Sequence, residues 1–83
     1  MTFSEIALEL IDGLVSIAAA PFDRMVERAA ILGQKCKKNG GEVPSIDTLK
    51  EALTMMFPAD AKHVSSFGWG NVHNAFMDAY LRA

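Results

Sequence analysis

Residues 21–41 read PFDRMVERAAILGQKCKKNGG, and this stretch holds the start, the apolar stripe and the stop of one helix. Pro21 lacks a backbone donor and disfavours helical geometry at Ala20, so it ends or kinks whatever precedes it. Beyond it, Phe22, Met25, Val26, Ala29, Leu32, Gly33 and Cys36 recur at the helical period and share one face. Asn39 and Gly40 close the helix, because glycine takes the left-handed cap conformation without steric cost. The spacing predicts a helix over 22–38.

Upstream, Thr2 and Glu5 match the capping box, in which each side chain satisfies the other's free backbone N–H, and a helix is expected over about 3–20. Its polar positions are Glu5, Glu9, Asp12 and Ser16; at 100° per residue they occupy a strip only about 60° wide. Nearly every other side chain there wants cover. Such a helix is either the centre of the fold or part of a subunit interface, and a homodimer is expected because two-fold pairs are the commonest oligomers. Ala18, Ala19 and Ala20 on one side of Pro21, and Ala29, Ala30 and Gly33 on the other, offer small surfaces for close helix approach. Residues 2–38 are therefore expected to form an antiparallel helix pair.

Downstream, GGEVPS reads as a loop, and Ser45 is a good N-cap for a helix over 46–56 carrying Ile46, Leu49, Ala52, Leu53 and Met56. Phe57 and Pro58 stop it, leaving room for a short helical turn near 58–64. The two glycines and paired serines of SSFGWG read as loop, and a last helix is expected over 71–81 with Val72, Ala75, Phe76, Ala79 and Tyr80 inward. No alternating β-branched run suggests a strand. The expectation is an all-α, compact bundle of four main helices and one short turn.

Eighty-three residues leave room for a single helical domain, 1–83. Chains this short bury only about 60% of their unfolded surface, a handicap that 51% apolar residues help to offset. The lone Cys36 excludes an internal disulfide and a cysteine-based zinc site. With no basic segment at the start and no apolar run of ~20 residues, a soluble, cytoplasmic protein is expected and no membrane partner. A net charge of −2 disfavours nonspecific nucleic-acid binding, although residues 22–39 carry five bases against two acids, a local +3.

The candidate contact residues lie in two groups. Phe67, Trp69 and His73 cluster around the only tryptophan, and Trp69 reads either as an exposed anchor for a partner or, with Phe67, as a lid over the core. Were Gly70 the N-cap of the last helix, Trp69 would staple against Asn74, which is polar, so that motif does not explain it. The second group, Arg24, Arg28, Lys35 and Lys38, falls close to one face of the second helix and suits phosphates or an acidic surface, or is simply solvated. Cys36 lies on the apolar stripe in the last turn of its helix, where the dipole disfavours a thiolate, and reads as a small buried hydrophobe. Asp60 and His63 at i, i+3, with His73, lack metal-ligand spacing. Met25, Met55, Met56 and Met77 suit either a pliable surface or gaps in the core.

No phosphate loop, nucleophile elbow or metal-binding motif is present, so no catalytic residue, metal or cofactor is expected. The leading expectation is a noncatalytic protein-interaction module. It would be an adaptor, regulator or inhibitor that occupies a surface on a larger macromolecule, by analogy with small phage or mobile-element inhibitors of host defence complexes. The alternative is a nucleic-acid-binding regulator using the basic face of the second helix.

Overall fold

The computed structural model describes residues 20–83. The helix expected over 3–20, its central or interfacial role and its pairing with the next helix lie outside the described residues. Among those described there are four helices and no strand: α1 (Pro21–Lys38), α2 (Ile46–Met56), α3 (Pro58–Ala61) and α4 (Ser66–Arg82). The fold is all-α. α1 packs mainly along α4, α3 lies against α1 and α2, and α2 also reaches α4.

Each boundary has a local cause. Pro21 sits in the first turn of α1, where a missing N–H costs nothing. At the other end Gly40 has a φ of +67°, and Gly41 N donates to Cys36 O (2.9 Å) while Gly40 N donates to Lys37 O (3.3 Å). This double closure is the Schellman arrangement, which satisfies the last carbonyls and needs glycine at the left-handed position. Ser45 caps α2 by accepting from Thr48 N at 3.2 Å. Phe57 ends α2 and Pro58 opens α3, so the short turn expected near 58–64 is helical over four residues.

The last helix corrects the sequence reading. It starts at Ser66, not near Asn71, and SSFGWG is its first turn and not a loop. Ser65 is the cap, its Oγ accepting from Gly68 N at 3.0 Å. Val64 and Trp69 then fall at the N′ and N4 positions that pair in a hydrophobic staple, and both are buried in one cluster. The staple motif is therefore present five residues earlier than a Gly70 cap would put it. Two helical glycines cost about 1 kcal/mol each relative to alanine. Burying Trp69 one turn ahead of Val72 and two ahead of Phe76 offsets that, since a large apolar side chain contributes about 1.5–3 kcal/mol.

One core joins the four helices. Met25, Ala29, Leu32 and Cys36 of α1 meet Leu49 and Leu53 of α2, Ala61 of α3, and Trp69, Val72 and Phe76 of α4. Gly33 makes the α1–α4 crossing possible. A Cβ there would fall onto the Phe76 carbonyl oxygen, well inside contact distance, and 3.2 Å from Tyr80 N. Cys36 is fully buried, donates to Glu42 O at 3.3 Å, and has its thiol pKa pushed up by burial.

Candidate functional site

α1 and α3 meet through charge. Arg24 donates to both carboxylate oxygens of Asp60, from Nε to Oδ2 at 3.0 Å and from Nη2 to Oδ1 at 2.7 Å. Arg28 donates from Nη1 to Asp60 Oδ2 at 2.6 Å. The i, i+4 spacing of the two arginines puts both on one side of α1, and the four-residue α3 sets Asp60 between them. The Arg28 guanidinium also lies 3.8 Å from the centroid of the Phe57 ring, a cation–π contact strengthened by partial desolvation. The Arg24 hydrogen bonds, reinforced by Arg28 and opposed by desolvation, hold the Asp60 carboxyl well below the usual carboxylate range.

This arrangement divides the basic face expected on α1. Arg24 and Arg28 are turned towards α3 and serve the fold, whereas Lys35 and Lys38 lie beyond them in the last turn. Lys37 reaches back over the Tyr80 ring at 4.8 Å and ties the end of α1 to α4. The ion cluster joins residues far apart in the sequence, Asp60 lying 36 residues from Arg24 and 32 from Arg28, so their pairing is not legible there. The one signal for it is Phe57 with Asp60 on a short proline-started turn, which places a ring and a carboxylate on neighbouring turns. Both Asp60 oxygens are taken by arginine, and His63 is exposed, so Asp60 and His63 do not form a pair.

The loop-side candidates also separate. Trp69 is 5% exposed and belongs to the core, while Phe67 is 91% exposed. They do not fold together as a lid. Two residues along a helix turn the side chain by about 200°, so a helix that buries one must present the other. His73 is half-buried and its Nε2 donates to Pro44 O at 3.0 Å; a carbonyl only accepts, so the proton is on Nε2. That bond fastens the loop between α1 and α2 to α4. Of the three residues expected to form one aromatic contact site, only Phe67 stands clear of the protein.

Phe67 has company. Met55 in the last turn of α2 is 77% exposed, so of the four methionines suited to surface or core it is the one on the surface, and Met25 is wholly buried. An open cleft of about 280 Å3 is lined by Lys50 and Thr54 of α2, Pro58 and Ala61 of α3, and Ser66 and Trp69 of α4. Lys62 and Val64, from the turn joining α3 to α4, complete it. Met55 follows Thr54 and Phe67 follows Ser66 in the chain, and neither of them lines the cleft itself. Its lining combines the apolar Pro58, Ala61, Val64 and Trp69 with two lysines and two hydroxyl side chains.

Comparison with known proteins finds no family model that matches the chain, and no match among curated proteins or solved structures.

Proposed function

We propose that the protein is a noncatalytic interaction module that docks a protein partner on the face formed by the start of α4 and the end of α2. The observation that carries this reading is Phe67, an aromatic ring 91% exposed on the first turn of a helix capped by Ser65. Aromatic side chains held outward on a rigid element give large contact area for little ordering entropy, and such residues dominate measured interfaces. Met55 at the end of α2 is a second exposed apolar side chain, and the cleft is lined by other residues of the same two helices. The alternative, nucleic acid on the basic face of α1, loses support because Arg24 and Arg28 already share Asp60.

The test places a photoreactive phenylalanine analogue at position 67, crosslinks in extract, identifies the captured protein, and then measures its purified binding to the native chain and to Phe67→Ala. A central anchor predicts a loss of about 2 kcal/mol or more, roughly 30-fold, for the alanine variant. Equal affinity for the two chains would overturn the reading.

A further inference from the structure

We propose that the cleft between α2, α3 and the start of α4 receives a short segment of a protein partner in which acidic residues flank an apolar one. The inference rests on the binding-module reading above and names the chemistry of its partner. The apolar part of the lining, Pro58, Ala61, Val64 and Trp69, accepts one or two side chains, the volume of about 280 Å3 being near the lower limit of ligand-sized clefts. Lys50 from α2 and Lys62 from the turn after α3 both line the cleft, so a chain lying in it meets two cations carried by different elements.

Among the described residues, no acidic side chain lines the cleft. The acid nearest in sequence to Lys62 is Asp60, whose two oxygens are committed to Arg24 and Arg28 on the α1 side. The net charge of the whole chain is −2, so a cleft whose charged lining among the described residues is two lysines runs against the average of the molecule. Thr54 and Ser66 supply hydroxyls for the peptide backbone, and the N-terminal end of the 17-residue α4, where Ser66 lies, adds its partial positive charge. Charge complementarity thus selects an acidic occupant, and the apolar part of the lining selects one with a buried side chain between its charges.

Trp69 is the only tryptophan and lines the cleft, so its emission reports occupancy directly. The probe is an N-acetylated, C-amidated peptide Glu-Leu-Asp-Phe-Glu, titrated into the full chain beside three controls. These are Ser-Leu-Ser-Phe-Ser without charge, Lys-Leu-Lys-Phe-Lys with charge reversed, and Glu-Ser-Asp-Ser-Glu without apolar side chains. The expected result is a saturable change in Trp69 emission, at least about fivefold tighter for the acidic–apolar peptide than for any control and weakening as salt is added. Lys50→Glu combined with Lys62→Glu, two exposed surface changes, inverts the preference towards the lysine peptide while circular dichroism shows the helices intact. The inference fails if the peptides bind without regard to charge, or if none gives a saturable response. It fails likewise if the emission change follows protein concentration alone, as self-association requires, or is produced only by an oligonucleotide. If Phe67→Ala abolishes partner binding while the double lysine variant binds that partner normally, the binding-module reading survives and the cleft assignment falls. Loss with the lysine variant and none with Phe67→Ala would keep the cleft and remove Phe67 as the anchor.

Discussion

Gly33→Ala tests the crossing on which the arrangement of α1 and α4 depends. In an isolated helix the change stabilises, because alanine is favoured over glycine by about 1 kcal/mol. Here the new methyl would overlap the Phe76 carbonyl oxygen and sit 3.2 Å from both Phe76 C and Tyr80 N. All three are backbone atoms of α4 and cannot rotate away, so the helices must separate along their length. Overpacking a tight core costs about 1–3 kcal/mol, and a backbone-to-backbone contact belongs at the upper end of that range. Set against the propensity gain, the net loss is about 2 kcal/mol, which lowers the melting temperature of a domain this size by roughly 8–16 °C. Gly70→Ala is the control: a Cβ there meets nothing within 4 Å, so it should gain about 0.5–1 kcal/mol. Urea and thermal unfolding followed by circular dichroism measure both. A Gly33→Ala protein as stable as the native one would refute the crossing, and with it the packing of Leu32, Phe76 and their neighbours.

Three further outcomes follow from the same contacts. Asp60→Asn leaves the largely buried Arg28 without its counter-charge; the loss should be about 2–3 kcal/mol, below the ~3–5 kcal/mol of a fully buried pair because Arg24 stays 27% exposed. The native Asp60 has a lowered folded pKa, so its contribution is complete above the unfolded carboxylate value of about 4 and is lost as the pH falls below it. Stability measured between neutral pH and strong acid should therefore fall more steeply for the native chain than for Asp60→Asn. Trp69→Ala should cost about 3–5 kcal/mol and unfold the first turn of α4, seen as lost helicity and early amide exchange at Gly68 and Trp69. Phe67→Ser should leave the unfolding midpoint within about 0.5 kcal/mol of native, since the ring touches solvent, and a large loss would mean that Phe67 belongs to the core.

Much of the fold was legible because its signals are local. The stripe from Phe22 to Cys36, the glycine stop at Gly40 and the serine cap at Ser45 each act within one or two turns, and α1 and α2 follow from them. The start of α4 was not, because Gly68 and Gly70 carry a turn signal that tertiary contact overrides. A Cβ at Gly68 would lie 3.1 Å from the Phe22 ring and 3.0 Å from Val64, so this glycine serves helix packing, which a single sequence does not distinguish from a loop. The candidate site was legible in composition and not in placement. Aromatic and basic residues were identified, but whether a basic residue faces solvent or a carboxylate 36 positions away depends on how α3 is seated.

The burial of Trp69 and the exposure of Phe67 are one event. In a loop the two rings would be free to fold together, and either could serve as lid or anchor. On a helix their directions differ by about 200°, so the register that places Trp69 beside Val64 and Val72 forces Phe67 outward. That register is held by the Ser65 cap, the tight seat of Gly68 on Phe22, and the alignment of Trp69, Val72, Phe76 and Ala79 as a single buried row. A shift of α4 by one residue would turn every member of that row by about 100° and forfeit several side-chain burials worth about 1.5–3 kcal/mol each. The exposed ring therefore needs no stabilising contact of its own: the core holds it in place, and a partner that covers it meets a surface already ordered.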